Sequence, residues 1–478
     1  MRRHDLAIVG GGTGGLVSAQ IAAALGARVA LVERARTGGD CLWTGCVPSK
    51  TLLASAQAAH TMRTAGRLGL TPVEPTIDFD AIMRRIREVI ARIEPADSAE
   101  RLRKAGVEVI AADAHFTGPH TLRCGDREVS FRAAIIATGS EPTLPPIDGL
   151  EEADPLTTDT IWQLEVQPRR LLILGGGPIG CELAQAFARL GSEVTIVETA
   201  SRLLLKEEPE AGDLIAEQLR HEGVTILLDA RPRSIAREGG GLRLELGTDG
   251  SPVGFDRVLV ATGRRPRTDG FALSSAGVKV DERGAVRVDS RLQTTASSVF
   301  AVGDVTGLYQ FTHVAAHHAR VATPNALFHT RGTVSDVVPW VTFTDPEVAR
   351  VGLSEAQARE RWGASIQIAV SDYAELDRAI TTGQAHGFAK LIGDGRGRLV
   401  GATVCAPAAG EAIAELAAWI TKHGRIREIS RTIHAYPTLA EGPARAADDH
   451  LMRQLRQSPA RHATGPILAA LRWLDCVR

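Results

Sequence analysis

The chain carries two copies of one nucleotide-binding pattern, and this duplication constrains the fold more than any other feature. In the first copy an apolar run ends at Val9, the glycine-rich turn Gly10–Gly15 follows, and the next apolar run ends in Glu33. In the second copy the turn is Gly175–Gly180 and the closing acid is Glu198, so first glycine and acid are 23 residues apart in both (10 to 33, 175 to 198). The glycines let the backbone approach a pyrophosphate at a helix N-terminus, and the acid can accept from a ribose hydroxyl. The pattern predicts two bound dinucleotides on two Rossmann-like parallel sheets.

Each copy is closed by a similar strand, which ends at Gly139 in the first and at Gly263 in the second.

Glu198, the closing acid of the second copy, also bears on the choice of cofactor. Glu198 would bond the 2′-hydroxyl of NAD and repel the 2′-phosphate of NADP. Arg202, four residues further on, is a cation that could weaken this preference. The sequence predicts NAD, with NADP as the alternative.

Two cysteines, Cys41 and Cys46, follow the first fingerprint, and an apolar helical run begins at Pro48. A thiol at the start of a helix, with Lys50 nearby, is favoured as the reactive thiolate. The spacing also lets the pair close a small disulfide ring. The alternatives are a static disulfide and a metal site, but zinc would need two more ligands that the local sequence lacks. The pair is predicted to be redox-active, and no resident metal site is predicted.

Size and charge exclude several function classes. With 478 residues the chain can form about three domains, and Lys+Arg 55 against Asp+Glu 56 gives no general attraction to nucleic acid or anionic membranes. The uncharged stretch 6–27 superficially resembles a signal peptide or membrane anchor. Its clustered glycines favour a strand–turn–helix unit instead. The protein is predicted to be cytoplasmic.

Together with the late segment Phe300–Asp304, these features resemble the class I pyridine nucleotide-disulfide oxidoreductases, which include mercuric reductase, dihydrolipoamide dehydrogenase and glutathione reductase. The resemblance extends from about Leu6 to Ala446. It implies an α/β fold with two Rossmann-like dinucleotide-binding domains, one for FAD and one for NAD(P), plus an α+β C-terminal dimerisation domain. The implied boundaries are 1–148 and 269–335 for the FAD domain, 149–268 for the NAD(P) domain and 336–478 for the dimerisation domain, with a tail extension from about 459.

The resemblance assigns FAD to the first fold, with Glu33 on the adenosine ribose and Asp304 on the ribityl–phosphate region, and the nicotinamide cofactor to the second fold. The cofactor-binding residues that follow from the fingerprints and the resemblance are Gly10, Gly12, Thr13, Gly14, Gly15, Glu33, Lys50, Thr138, Gly139, Gly175, Gly177, Ile179, Gly180, Glu198, Gly263, Gly303 and Asp304.

The resemblance also implies a route for electrons, from NADH through the flavin to Cys46 and Cys41. Cys46 would be the thiolate beside the flavin, and Cys41 would attack the substrate. Lys50 would lie near the flavin and pair with Glu182, the glutamate after the second fingerprint. The predicted catalytic set is Cys41, Cys46, Lys50, Glu182, Tyr436 and Glu441.

One family segment differs in this chain. The disulfide reductases carry His-Pro-Thr-x-x-Glu with a catalytic histidine, and the matching segment here begins at Tyr436 and ends at Glu441. A phenol titrates near 10 and an imidazole near 6.5, so Tyr436 is a poor base at neutral pH. His434 could substitute, although a neighbour two residues away usually points elsewhere. Tyrosine here resembles the mercuric reductases, but those end in two adjacent cysteines, whereas this chain has Cys476 alone.

The predicted function is therefore NADH-dependent reduction of a disulfide, a soft metal ion or another small acceptor. One alternative is a diaphorase or quinone reductase that uses the flavin directly, and another is a flavin-binding redox sensor with little turnover. The predicted partner is a second copy of the chain, in a homodimer with the active site shared between subunits. Tail residues at helical spacing, among them Ile467 and Leu471, predict a docking helix rather than a membrane-surface helix.

Overall fold

The computed structural model describes residues 3–238, 241–247, 251–458 and 460–477. The chain divides into two compact units, one of Met1–Ala65, Thr71–Leu203 and Gln218–Ser335, the other of Gly66–Leu70, Leu204–Glu217 and Asp336–Arg478. The helices are α1 (Thr13–Ala24), α2 (Gly39–Trp43), α3 (Cys46–Arg63), α4 (Phe79–Asp97), α5 (Ala99–Lys104), α6 (Pro178–Arg189), α7 (Pro209–His221), α8 (Thr312–Phe328), α9 (Glu355–Trp362), α10 (Asp377–Thr381), α11 (Ala409–Thr421), α12 (Ile426–Arg431), α13 (Glu441–Gln457) and α14 (Ala460–Val477).

The strands of the first unit are β1 (His4–Val9), β2 (Val29–Glu33), β3 (Glu108–Ala111), β4 (Ala114–Gly118), β5 (Thr121–Cys124), β6 (Arg127–Ile136), β7 (Ser140–Pro142), β8 (Arg170–Leu174), β9 (Glu193–Val197), β10 (Thr225–Leu227), β11 (Pro232–Glu238), β12 (Gly241–Leu246), β13 (Val253–Phe255), β14 (Arg257–Val260), β15 (Arg264–Pro266) and β16 (Val299–Ala301). The second unit contains β17 (Pro339–Thr342), β18 (Glu347–Gly352), β19 (Gln367–Asp372), β20 (Phe388–Gly393) and β21 (Leu399–Ala406).

The first nucleotide fingerprint lies on a sheet of order β3-β2-β1-β6-β5-β4, in which β16 also pairs with β6. Strands β3, β2, β1, β6 and β16 are parallel, and β5 and β4 are antiparallel additions. Leu6 and Ile8 belong to one core cluster, while Ala7 and Val9 belong to another. Both faces of β1 are therefore covered, as expected for a continuous apolar strand in a parallel sheet.

The second fingerprint lies on a parallel sheet of order β10-β9-β8-β14. Strands β11, β12 and β13 form a separate antiparallel sheet. The segments that follow the two closing strands pair with each other as β7 and β15, after Gly139 and Gly263, both of which have positive φ. These segments carry the chain from one nucleotide sheet to the other and back.

The second unit is an antiparallel sheet of order β17-β18-β21-β20-β19, against which α11 and α13 pack. Its core contains fully buried Ala349, Val404 and Leu416. Together with the two parallel sheets, this unit confirms the predicted α/β fold with an α+β C-terminal part. The exact domain boundaries stay predictions.

The tail is helical, as predicted, and forms α14. Ile467, Leu468, Leu471 and Leu474 are each between 51% and 57% exposed, so the apolar stripe predicted for docking lies on the surface. The partner of this stripe stays a prediction, and the side chain of Cys476 lies outside the described residues. Among the helices described, none combines the length and apolar character needed to cross a bilayer.

Candidate active site

The two cysteines of the redox pair lie on consecutive short elements. Cys41 is in α2 and is half-buried, and Cys46 is exposed as the first residue of α3. Both are thiols in the structure. The first N–H groups of a helix have no intrahelical acceptor, so Cys46 lies at the positive end of the α3 dipole. The helix start predicted near Pro48 is two residues earlier, at Cys46.

The surroundings of the two thiols shift their pKa values in opposite directions. A hydrogen bond from Cys41 lowers the pKa of Cys46 to about 6, assisted by the Thr312 hydroxyl and the charge of Lys50 and opposed by desolvation. The Cys46 sulfur is 3.6 Å from the Thr312 hydroxyl oxygen. The same hydrogen bond to Cys46, together with burial, raises the pKa of Cys41. At neutral pH the geometry therefore favours a Cys46 thiolate beside a protonated Cys41.

This asymmetry gives a pH dependence that can be measured. In the reduced protein, iodoacetamide will alkylate Cys46 with a rate that falls as the pH is lowered through about 6, because only the thiolate reacts. Alkylation of Cys41 will stay slow up to at least pH 8. Peptide mass mapping after timed labelling separates the two sites. A Cys46 midpoint near 9, the value of an ordinary thiol, would contradict the assignment.

Lys50 and Glu182 are brought together as the resemblance implied. Lys50 Nζ donates to Glu182 Oε2 at 2.7 Å, and the Glu182 side chain is only 7% exposed. Glu182 lies on the buried face of α6, where an unpaired carboxylate would be costly. The ion pair therefore fixes the Lys50 ammonium one helical turn from Cys46.

Both nucleotide turns have the same hydrogen-bonded geometry. Gly11 N–H donates to Glu33 Oε2 at 2.7 Å, and Ala35 N–H donates to Oε1 at 2.8 Å. In the second copy, Gly176 N–H donates to Glu198 Oε2 at 2.6 Å. Each carboxylate therefore fixes its glycine turn and keeps lone pairs available for a ribose hydroxyl.

The helices after these turns begin without side-chain caps. Within the described residues, neither the Gly12 nor the Gly177 N-cap makes a side-chain hydrogen bond, and neither first turn contains an acid. A Cβ atom on Gly15 would lie 1.9 Å from Gly10 O, whereas one on Gly177 would meet nothing within 4 Å. Uncapped N–H groups at a helix start fit a pyrophosphate, and the space beside Gly177 is open. The residues present therefore fit FAD at the first turn and NAD at the second.

Asp304 lies in a hydrogen-bonded chain that the sequence did not reveal. Ser140 Oγ donates to Asp304 Oδ2 at 2.7 Å, and Arg264 Nε donates to Ser140 Oγ at 2.8 Å. Burial raises the pKa of Asp304, against the hydrogen bond from Ser140 and the charge of Arg264. His318 accepts from Gly303 N–H through Nδ1 at 3.2 Å, and burial lowers its pKa to about 4, so it stays a neutral acceptor.

Sequence reasoning missed Arg264, Ser140 and Thr312. Arg264 could have been found, because it directly follows Gly263 at the carboxyl end of a strand in the parallel sheet, where ligands bind in this kind of fold. Thr312 gave no signal, since its contact with Cys46 spans 266 residues of sequence.

Tyr436 and Glu441 belong to the second unit. Tyr436 is 68% exposed, and its hydroxyl donates to Asp377 Oδ2 at 2.6 Å. The carboxylate of Asp377 raises the pKa of this phenol. Glu441 begins α13, and its buried Oε2 has no hydrogen-bond partner among the described residues. The phenol proton is therefore held by Asp377 and not by Glu441.

His434 is held inside its own unit. Nδ1 is 2.9 Å from Thr432 O, and Nε2 is 3.1 Å from Glu415 Oε2. Both ring nitrogens therefore contact oxygen atoms of the same unit, and the ring is held in place by these contacts. This geometry argues against His434 as a replacement for the missing catalytic histidine.

The chain matches known families and structures over most of its length. Residues 4–319 match a family described as pyridine nucleotide-disulphide oxidoreductase, and residues 338–447 match its dimerisation domain. A mercuric reductase from Streptomyces lividans is 39% identical over 93% of this chain and 95% of that protein, and a dihydrolipoyl dehydrogenase from Thermus scotoductus is 36% identical over 94% and 97%. The Cu(II) complex of the HOCl-induced flavoprotein disulfide reductase RclA from Escherichia coli superimposes with a TM-score of 0.85 at 31% identity, covering 94% of this chain and 99% of that one.

Proposed function

The chain belongs to the pyridine nucleotide-disulfide oxidoreductases, and we propose that it is an NADH-dependent reductase of thiophilic metal ions that works through Cys41 and Cys46. Family membership confirms the predicted enzyme class and the use of FAD and NAD(P). FAD, when bound, supplies a carrier that takes two electrons from the nicotinamide and delivers them to the cysteine pair. The observation that carries the proposal is the asymmetric thiol pair at the start of α3, with a stabilised thiolate and a protonated neighbour.

The protein residues have separate tasks in this proposal. The α3 N-terminus, Thr312 and the Lys50–Glu182 pair hold negative charge on the Cys46 sulfur. Cys41 keeps its proton until an acceptor approaches, and then offers a second sulfur. Two adjacent thiolates are the ligands that soft metal ions select.

The choice of a metal ion over a disulfide rests on proton balance. Reducing a disulfide with NADH takes up one proton and gives two thiols, so a thiolate leaving group must be protonated, whereas reducing Hg(II) to Hg(0) with NADH releases a proton. The loop at 432–441 offers little general acid, because Asp377 holds the Tyr436 proton and His434 is bound to Glu415. Among the similar proteins, one is a mercuric reductase, and another, a flavoprotein disulfide reductase, was solved as a Cu(II) complex.

An acceptor screen tests the proposal. The purified holoenzyme is mixed with NADH or NADPH and with Hg(II), Cu(II), glutathione disulfide, lipoamide or a quinone, with oxidation of the nicotinamide followed at 340 nm. We expect turnover with NADH and a metal ion to exceed turnover with either disulfide at least tenfold, and NADH to be preferred to NADPH because of Glu198. Faster turnover with a disulfide would refute the metal assignment. Turnover with the quinone alone would favour a quinone reductase that uses the flavin directly. Negligible turnover with every acceptor would favour a flavin-binding redox sensor.

The dimerisation domain supports a homodimer, in which we place the 432–441 loop of one subunit over the cysteines of the other. Ile433 in this loop is 98% exposed in the single chain, which is costly for a large apolar side chain.

We expect Ile433→Asp to weaken the dimer, because it would place a charge in an apolar contact. Sedimentation velocity at micromolar concentration should show monomers, with acceptor turnover falling in parallel. Val370→Asp, at a residue that is 40% exposed on β19, is the control and should remain dimeric. A fully dimeric Ile433→Asp enzyme would exclude this loop from the interface.

A further inference from the structure

The segment Asp40–Thr44, which contains most of helix α2 and its C-cap, is here called the redox loop. It carries Cys41 and ends two residues before Cys46. Its own backbone closes it, because Thr44 N–H donates to Asp40 O at 2.9 Å. Both ends are also held by side chains from distant segments. Trp162 Nε1–H donates to Thr44 O at 2.8 Å, and the Arg264 guanidinium bonds the carboxylate of Asp40.

The hydrogen bonds around Arg264 hold its guanidinium group in one orientation. Its side chain is 15% exposed. Nε donates to Ser140 Oγ at 2.8 Å, one terminal nitrogen donates to Thr158 Oγ1 at 2.8 Å, and the other donates to Ser140 O at 3.0 Å as well as to Asp40. A planar guanidinium with all three nitrogens engaged has little rotational freedom. The position of Asp40 is therefore set by groups outside the redox loop.

Trp162 acts at the other end of the loop. Its single N–H is shared between Thr44 O and Thr158 O, each at 2.8 Å. Thr158 thus contacts both Trp162 and Arg264, so the two anchors form one connected group. A carbonyl dipole at Thr44 that turned toward the adjacent thiolate would oppose its negative charge. The indole N–H draws this carbonyl in a fixed direction instead.

We propose that Trp162 and Arg264 are positioning residues of the redox loop, which keep the Cys41 thiol within hydrogen-bonding distance of Cys46. In the described part of the chain, neither side chain makes a hydrogen bond to either sulfur. Their effect is exerted through Thr44 and Asp40. The inference rests on the proposed function, since it concerns the same thiol pair, and it adds two residues that no fingerprint contains.

Trp162→Phe tests this directly, since it keeps an aromatic ring and removes the donor. Arg264→Lys keeps the charge and removes the planar fork. The holoenzyme is reduced with dithiothreitol, and alkylation of Cys46 by iodoacetamide is followed against pH with peptide mass mapping. For both variants we expect the midpoint to rise from about 6 by about one pH unit, which is about tenfold slower labelling at pH 5. Trp340→Phe is the matched control. It removes a hydrogen bond of 2.7 Å from the indole N–H to Glu207 Oε1 in the second unit, and it should not change the pH midpoint of Cys46 alkylation.

An unchanged midpoint in both variants would overturn the inference. Flavin content and the thermal unfolding midpoint are recorded for each variant, and a shift in either properly folded variant is sufficient support. Labelling after chemical reduction requires no NADH turnover. A wild-type enzyme that fails to oxidise NADH would therefore refute the proposed function, while the alkylation profile still decides the role of the two anchors.

Discussion

Cys41→Ser will lower NADH-dependent reduction of a thiophilic metal ion by about 10³-fold or more, while NADH-dependent quinone reduction will persist. The reason is that the two sulfur atoms have different roles. Cys46 holds the stabilised charge, and Cys41 offers a second sulfur to the acceptor. A serine hydroxyl at this place ionises far less readily than a thiol and binds soft metal ions poorly. Steady-state oxidation of NADH with Hg(II) and with a quinone, measured on one preparation, gives both rates.

Cys476→Ser is the matched control, because it makes the same atomic change at the lone C-terminal cysteine. We expect it to retain the metal-dependent rate. If Cys41→Ser lost quinone turnover to the same extent as metal turnover, the variant would be damaged at the flavin, and the proposed role of Cys41 would fail. If Cys476→Ser lost metal turnover as severely as Cys41→Ser, the terminal thiol would belong to the metal pathway.

The parts of the site that could be predicted from sequence are those set by local backbone geometry. The turn at Gly10–Gly15 and its copy at Gly175–Gly180 have fixed spacing because a strand, a tight turn and a helix must follow each other within a few residues. The Cys41–Cys46 pair is equally local. Each of these patterns can be recognised without knowing which other segments lie beside it.

The contacts that position the two thiols or shift their pKa values join residues that are far apart in sequence. Trp162 and Thr44 are 118 residues apart, Arg264 and Asp40 are 224 apart, and Thr312 and Cys46 are 266 apart. No periodicity or motif marks Trp162 or Thr312, and none pairs Arg264 with Asp40, since these contacts depend on how the two nucleotide sheets are connected. The same holds for Tyr436. Its position was predicted from the resemblance, but its acceptor, which is 59 residues away in α10, was not.

Glu222→Ala will cause a large loss of stability, because it removes the carboxylate of a buried ion pair. Arg189 and Glu222 are 4% and 6% exposed, and they form a bidentate pair with distances of 2.8 Å and 2.6 Å. Gln185 and Gln218 also donate to this carboxylate. Removing it leaves a guanidinium buried without its counter-charge, which costs about 3–5 kcal/mol. Urea titration at pH 7, followed by tryptophan fluorescence, should show a clearly lower midpoint.

Two further variants distinguish the effect of the buried charge on stability from the effect of lost side-chain packing. Glu100→Ala breaks an exposed pair with Lys104, whose side chains are 74% and 75% exposed, and it should leave the midpoint unchanged. The double variant Arg189→Met with Glu222→Leu removes both charges and keeps most of the volume, so it should recover most of the stability lost by Glu222→Ala. If the double variant were as unstable as the single one, the loss would come from packing rather than from the missing counter-charge of Arg189. Recovery would show instead that the loss comes from burying the Arg189 charge, on the same helix α6 that carries Glu182, without its carboxylate partner.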